Sequence, residues 1–155
     1  MKRIRFVVLF FLLAQMVVSS WGQSKYDKML IAAEVNYEAG NYVKAFASLE
    51  KFRKKAFKKL GQQNIYTPVY YIRQAKYNLA SGYVSEFEIS LQQAINTSKS
   101  INQESSQAHG LILVEAAELH NLNGTYKIAR SYLNEARSVL EGGGFMKDWV
   151  QGRYQ

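Results

Sequence analysis

The feature of this sequence that most limits its fold is a glycine that recurs at a fixed interval. Gly40, Gly82 and Gly124 are separated by 42 residues in the 155-residue chain. On both sides of each glycine, apolar residues recur at steps of three and four, the periodicity of an amphipathic helix. A spacing that is kept over three copies is typical of a repeated structural unit. The pattern therefore predicts an all-α fold of three helical hairpins, since the alternation typical of strands does not occur.

Equivalent positions of the three units carry small or apolar residues. An alanine precedes each glycine by seven residues, at Ala33, Ala75 and Ala117. The stripes after the glycines are Tyr42, Ala45, Leu49 and Phe52; Val84, Phe87, Leu91 and Ala94; and Tyr126, Ala129, Leu133 and Ala136. Glycine permits the backbone of a tight turn, and alanine lets paired helices approach closely. We expect helices at 24–39, 42–60, 67–81, 84–100, 103–122 and 125–140. A plain bundle with coincidental glycines is the alternative.

Capping residues are expected at several helix starts. Ser24 with Asp27 approximates a capping box for the first helix. Thr67 followed by Pro68 predicts the start of the third helix, because proline is favoured at the first helical position. Ser100 or Asn102 is the expected cap of the fifth helix.

The order of residues around the glycines resembles the tetratricopeptide repeat. The matches are Ala33, Gly40, Tyr42, Ala45 and Leu49 in the first unit, and Ala117, Gly124, Tyr126, Ala129, Leu133 and Ala136 in the third. The middle unit departs from the family pattern, because Phe87 stands where a small residue is expected. The interval exceeds the common one of about 34 residues, so the long variety in kinesin light chains and bacterial sensor regions is the closer likeness. The resemblance implies a right-handed α-solenoid with units at about 26–67, 68–109 and 110–141.

Proteins of this family generally bind segments of other proteins in a groove lined by the first helix of each hairpin. The resemblance therefore implies a non-enzymatic scaffold or adaptor that binds another protein or peptide and needs no cofactor. Carried over position by position, the groove would be lined by Leu30, Glu34, Tyr37, Glu38, Ile72, Arg73, Lys76, Leu79, Val114, Glu115, Glu118 and Asn121. Chaperone-binding members clamp a terminal carboxylate with a lysine and an asparagine. Leu30 and Glu34 occupy those positions here, so that specificity is not expected.

The first 22 residues have the three parts of a signal peptide. Basic residues precede an apolar run at 6–18, and the small residues Ser20 and Gly22 follow it. A membrane anchor is the alternative, but the run covers only about 20 Å of the roughly 30 Å hydrocarbon layer. We expect cleavage after Gly22, which would leave a domain at 23–141 that is periplasmic or secreted, with a Gram-negative bacterial envelope favoured.

No catalytic or metal-binding pattern occurs in the sequence, and the protein is not expected to be an enzyme. Cysteine is absent, which excludes disulfides, thiolate metal sites and a lipid-acceptor cysteine. P-loop, HExxH and nucleophile-elbow motifs are also lacking. His109 and His120 would lie about 16 Å apart along one helix, too far to share a metal. We expect His120 to be a hydrogen-bonded residue of the partial core. The tyrosines at 66–77 are expected to be mainly core, with an interface role as the alternative.

Positive charge is concentrated in one predicted helix. The net charge of the chain is +8, and residues 51–59 alone contribute six basic side chains, namely Lys51, Arg53, Lys54, Lys55, Lys58 and Lys59. Leu49, Phe52, Ala56 and Leu60 continue the apolar stripe of this helix, so the basic side chains cover its other faces. A solvated face is one interpretation. A docking surface for an acidic protein or an anionic lipid or glycan surface is the other, and nucleic acid is not expected for an exported protein.

Residues 142–155 follow the last predicted helix. Three glycines at 142–144 predict a break. Phe145 with Trp149, and Met146 with Val150, form apolar pairs four residues apart that suit a short capping helix on the open end of the repeat. The alternative is the start of a further unit, in which case the domain would be the sensor region of a longer signalling protein. The sequence does not predict the oligomeric state.

Overall fold

The computed structural model describes residues 25–102 and 107–143. These ranges contain six helices and no strand, as the glycine interval predicts. The helices are α1 (Lys25–Glu38), α2 (Tyr42–Leu60), α3 (Tyr66–Ala80), α4 (Val84–Asn102), α5 (Gln107–Leu122) and α6 (Tyr126–Gly142). Consecutive helices pack as three hairpins, α1 with α2, α3 with α4 and α5 with α6. Neighbouring hairpins meet where α2 packs against α3, α4 against α5, and α3 against α5. The all-α fold is therefore confirmed, and its right-handed sense stays a prediction.

The three hairpin turns have the same backbone geometry. Gly40, Gly82 and Gly124 adopt φ values of 74°, 80° and 78°. In each turn the glycine N–H donates to the carbonyl three residues earlier, and the next N–H donates at 2.9 Å to the carbonyl five residues earlier. These two bonds form the Schellman motif that closes a helix on a left-handed residue. A Cβ at these positions would have no atom within 4 Å, so backbone conformation alone accounts for glycine here.

Two apolar clusters form the core, and α3 contributes to both. The first cluster joins Leu49, Phe52 and Ala56 of α2 to Tyr70 and Tyr77 of α3. The second cluster contains Ile72 and Ala75 of α3; Phe87, Leu91, Ala94 and Ile95 of α4; Ile112, Leu113, Ala116 and Leu119 of α5; and Ala136 of α6. The tyrosines predicted as core are mostly so, because Tyr70 and Tyr77 are buried and their neighbours Tyr66 and Tyr71 are half-buried. Each cluster therefore joins helices of neighbouring hairpins, and α3 is common to both.

Some positions of the predicted stripes are exposed. Tyr42, Val84 and Tyr126 each begin the second helix of a hairpin. They lie beside the turn, at the end of the partner helix, which covers them only in part. Leu60 is exposed as well, because it is the last residue of α2. Leu133 is the remaining exception, because it lies on α6 and no further helix among the described residues packs against that helix.

The expected capping residues are wrong for α3 and α5. The helix α3 begins at Tyr66, whose N–H donates at 2.9 Å to the side-chain oxygen of Asn64. The Thr67 hydroxyl instead donates to the carbonyl of Gln62 at 2.6 Å and fastens the loop before the helix. Ser100 and Asn102 lie inside α4 and cannot cap α5. The predicted signal peptide, Ser24, residues 103–106 and the predicted C-terminal cap lie outside the described residues. Within those residues, no helix combines the length and the apolar character needed to cross a bilayer.

Candidate functional site

A row of charged side chains crosses the first helices of the three hairpins. Lys76 of α3 donates from Nζ to Oε1 of Glu34 in α1. Nε of Arg73 lies 3.6 Å from Oε2 of Glu34, and its Nη1 lies 4.0 Å from Oε2 of Glu115 in α5. Glu118 follows Glu115 by one helical turn. We call these five residues the charged row. Glu34, Lys76 and Glu118 occupy the same position in successive units, so the charge at that position alternates along the repeat.

Glu34 joins two hairpins and is not available to a ligand. Its side chain is only 5% exposed, and Oε2 also accepts a hydrogen bond from the Tyr77 hydroxyl at 3.3 Å. Burial and the nearby Glu34 raise the pKa of Tyr77, so this hydroxyl stays protonated and donates. A buried carboxylate with partners on another helix holds those helices together. A substitution at Glu34 therefore tests folding rather than binding.

The ring of Tyr37 packs against Lys76 of the charged row. The Tyr37 ring stacks on Tyr77 with centroids 4.8 Å apart, and Lys76 Nζ lies 4.5 Å from the Tyr37 centroid. Burial, followed by Tyr42 and Glu34, raises the pKa of Tyr37. The Lys76 ammonium thus contacts both a carboxylate and an aromatic face, which restricts where it can point.

Glu118 is the member of the charged row that lacks a direct partner. Neither a hydrogen bond nor an ion pair reaches its carboxylate from residues 25–102 or 107–143. Burial raises the pKa of Glu118, the Glu115 charge raises it further, and Lys76 opposes both effects. Because Glu34 already binds Lys76, the negative charges of Glu115 and Glu118 are incompletely balanced. The α5 end of the charged row is therefore suited to a positively charged group.

An open depression borders Lys76 of the charged row, at the end of the hairpins where the turns are. Its volume is about 470 Å³. We call it the turn-end depression, and its lining includes Tyr37, Lys76, Leu79, Val84, Leu119 and Leu122. Leu122 is 66% exposed, and it follows Glu118 by four residues, which places the two on the same face of α5. An apolar surface beside an unpaired carboxylate fits a segment that carries both an apolar and a basic side chain.

The structure brings together part of the predicted groove. Tyr37, Arg73, Lys76, Leu79, Glu115 and Glu118 lie in the charged row or the turn-end depression and are at least partly accessible. Two expectations need correction: Ile72 is buried in the second core cluster, and Glu34 is buried in ion pairs. Leu30 and Val114 are half-buried and pack against the two core clusters.

The remaining residues of the predicted groove lie outside the turn-end depression. Glu38 and Asn121 are exposed but do not line it. Sequence reasoning missed Val84, Leu119 and Leu122. Leu119 belongs to the buried core cluster. For the exposed Val84 and Leu122, the available signal was an apolar residue beside a hairpin turn.

The basic residues of α2 divide into two groups. Lys51, Lys54, Lys55, Lys58 and Lys59 are exposed, and we call them the lysine face. Arg53 instead donates from Nη2 and Nε to Glu50 Oε2 at 2.8 and 3.0 Å and lies 5.9 Å from the Tyr70 ring. Arg53 therefore does not belong to the exposed basic patch that the sequence predicted, because its side chain takes part in the contact between α2 and α3.

Glu50 is the acceptor in that contact. The Tyr70 hydroxyl donates to Glu50 Oε1 at 2.5 Å. Burial alone would raise the pKa of Glu50, but hydrogen bonds from Arg53 and Tyr70 outweigh it and lower the pKa.

Both histidines are buried and serve packing. Nδ1 of His120 lies 2.8 Å from the Thr125 hydroxyl, and its ring stacks on Tyr132, which confirms the expected hydrogen-bonded core role. Nδ1 of His109 lies 2.8 Å from Oγ of Ser98. That serine–histidine pair could resemble a nucleophile with its base, but both residues are buried and a substrate would not reach them. In the part of the chain that the structure describes, no group of side chains could hold a metal ion.

Comparison of this chain with protein-family models, with curated proteins and with solved structures finds no match.

Proposed function

We propose that this protein is a non-enzymatic scaffold or adaptor that binds a segment of another protein at the turn-end depression. The observation that supports this most strongly is the exposed Leu122 one turn from Glu118, whose carboxylate has no direct partner among residues 25–102 and 107–143. Together they could contact a partner segment that carries both an apolar and a basic side chain.

The proposed partner segment carries a lysine or arginine next to an apolar side chain. The basic group would balance Glu115 and Glu118, and the apolar group would contact Leu122 and Val84, which are exposed. The affinity would come mainly from apolar burial, whereas the charge contact would decide which segments bind. The resemblance to tetratricopeptide repeats supports the same use of the first helices, and the predicted signal peptide supports an envelope or secreted location.

Crosslinked affinity capture from the envelope fraction tests this proposal with matched variants. Leu122→Ser should remove the captured partner, whereas Ile89→Ser should not, although Ile89 is comparably exposed on α4 at 61%. Glu118→Gln should weaken capture by roughly tenfold, the effect of losing about 1.4 kcal/mol, and Glu86→Gln on the exposed face of α4 should not. Equal capture by Leu122→Ser and Ile89→Ser would refute the depression as the binding site.

A second candidate function follows from the lysine face. Five exposed lysines on one helix have no ion pair within the described residues. Near an anionic membrane each such lysine contributes about 1 kcal/mol, an effect that salt screens. This arrangement supports docking to an anionic lipid or glycan surface.

Binding to vesicles of phosphatidylglycerol tests the second candidate. Replacing Lys54, Lys55, Lys58 and Lys59 by glutamine should abolish binding at low salt. The control replaces Lys25, Lys28, Lys44 and Lys127 by glutamine, which removes the same charge from dispersed exposed positions. Equal loss in both variants would show that net charge, rather than the lysine face, attracts the protein. A role as the sensor region of a longer signalling protein is the third proposal, and the natural reading frame tests it.

A further inference from the structure

One side of α1 is exposed, although the equivalent sides of α3 and α5 are covered. Val35 is 59% exposed, whereas Tyr77 and Leu119, which follow it by one and two repeat intervals, are 0% and 6% exposed. Ile31 lies one turn before Val35 and is exposed as well. The three helices are equivalent in the repeat, so the difference comes from what packs against them.

The covered positions of α3 contact the hairpin that comes before. The Tyr77 ring stacks on Tyr37 of α1 and meets Phe46 of α2 edge-on, with centroids 5.7 Å apart. Arg73, the equivalent of Ile31, pairs with Glu34 of α1. In the described part of the chain no hairpin precedes α1. Its exposed side therefore occupies a packing position of the repeat and has no neighbouring hairpin there.

The exposed residues of α1 form a single stripe, in which basic residues are followed by apolar ones and then by an acidic one. Steps of three and four connect them along one side of the helix. We call them the α1 stripe: Lys25, Lys28, Ile31, Ala32, Val35, Glu38 and Ala39. A stripe that is basic at one end, apolar in the middle and acidic near the other end is complementary to a reversed copy of itself.

We infer that two copies of this chain associate through the α1 stripe, with their α1 helices antiparallel about a two-fold axis. When that axis passes position 33, Lys28 of each copy lies opposite Glu38 of the other, and Ile31 lies opposite Val35. Each contact occurs twice, because a two-fold interface uses the same surface on both copies. Burial of the apolar middle supplies the affinity, and the opposite charges select the antiparallel arrangement over the parallel one.

The dimer is expected to be weak and to leave the proposed binding surfaces free. A single pair of helices is smaller than the roughly 1,200 Å² of a stable interface, so we expect dissociation at micromolar concentrations. No residue of the α1 stripe lines the turn-end depression or belongs to the lysine face. Both surfaces would be present twice in the dimer, which favours bivalent binding. The inference goes beyond the proposed function and does not depend on it.

Sedimentation equilibrium of the full chain and of charge variants tests the register. Lys28→Glu alone and Glu38→Lys alone should each weaken self-association at least about tenfold, because like charges then face each other twice. An equimolar mixture of the two variants should form heterodimers, in which both contacts are again between opposite charges. The double variant should regain the homodimer. Both changes suit the helix macrodipole, so an unfolded α1 would not explain a lost dimer.

A matched pair of substitutions tests the apolar middle of the stripe. Val35→Ser should weaken self-association at least about tenfold, and Ile89→Ser should not, although Ile89 is comparably exposed on α4. Every variant keeps residues 1–24, so self-association through the apolar run at 6–18 would be the same in all of them.

Four results would overturn the inference. A chain that stays monomeric at every concentration has no such interface. Equal association of the Val35→Ser and Ile89→Ser variants would place the interface elsewhere. A mixture of the two single charge variants that stays monomeric would exclude the charge contacts, and a double variant that stays monomeric would exclude the antiparallel register.

Discussion

Replacement of Glu34 by glutamine tests whether the charged row holds the first helices of neighbouring hairpins together. Glutamine keeps the shape of the side chain and its ability to accept one hydrogen bond, but it removes the charge that Lys76 and Arg73 balance. If the buried carboxylate joins α1 to α3, the free energy of unfolding must fall. If Glu34 were a ligand-binding residue at the surface, stability would hardly change.

The expected magnitude follows from the exposure of the partners. Removal of one member of a fully buried ion pair costs about 3–5 kcal/mol. The side chains of Arg73 and Lys76 are 18% and 27% exposed. Water can therefore replace part of the lost interaction. We therefore expect Glu34→Gln to lower the free energy of unfolding by about 2 kcal/mol, equivalent to a decrease of about 6–8 °C in melting temperature.

Urea denaturation followed by far-ultraviolet circular dichroism provides the measurement. The midpoint should decrease with an unchanged slope, because a change in slope would indicate a different denatured state. Glu38→Gln on the exposed side of the same helix is the control, and it should change stability by less than about 0.5 kcal/mol. Combination with Lys76→Met in a double-mutant cycle should give a coupling of about 1–2 kcal/mol. A Glu34→Gln midpoint equal to that of Glu38→Gln would refute the argument.

Three further predictions concern packing, charge and backbone geometry. Gly110→Ala should destabilise by about 1–2 kcal/mol, because its Cβ would lie 2.6 Å from Cδ2 of Leu140; Leu140→Ala in the same chain should recover part of this loss in urea denaturation. Glu118→Gln should stabilise by about 0.5 kcal/mol at neutral pH. The raised pKa of Glu118 means that the folded protein favours the protonated carboxyl, so its contribution is complete below the ordinary value of 4.5 and is lost as the pH rises through the raised pKa. The stabilisation by Gln should accordingly vanish below pH 4.5, and a gain that persists in acid would contradict this assignment. Gly82→Ala should cost about 1 kcal/mol from its φ of 80° alone, and a neutral result in thermal melts would show that the turn relaxes.

The stability and binding effects at Glu118 are expected to have opposite signs. Glutamine at this position relieves the charge imbalance in the free protein and removes the group that we propose for the partner. A variant that is more stable but binds less is typical of a binding residue, whereas a purely structural residue loses both properties together. Measurement of both properties on one variant therefore separates the two roles.

The helices and their turns could be predicted from the sequence with small errors. The glycine interval predicted three turns of one kind, and all three have the same hydrogen bonds. The errors occur where several side chains near a helix start compete for the same backbone groups. The Thr67 hydroxyl donates to the preceding loop, and the Asn64 side chain instead accepts from the Tyr66 N–H at the start of α3. Several side chains near a helix start can accept the free N–H groups, and the backbone path of the loop decides which one does.

The candidate site was predicted less completely. Periodicity placed Tyr37, Lys76 and Glu118 on the first helices of their hairpins, but it did not distinguish Ile72, which is buried in the core. Periodicity also did not show that Arg53 contacts Glu50 and Tyr70 while the neighbouring lysines are exposed. Whether a residue on a helix is accessible depends on the neighbouring hairpin, which the residue's own helix does not specify.

The sequence by itself determined the six helices and the shared turn geometry, because these depend on residues within a few positions of one another. Only the tertiary structure decided that Glu34 is an internal contact and Glu118 is not. The reason is that the balance of each charge depends on residues one repeat interval away, and their separation in space is set by how the hairpins pack.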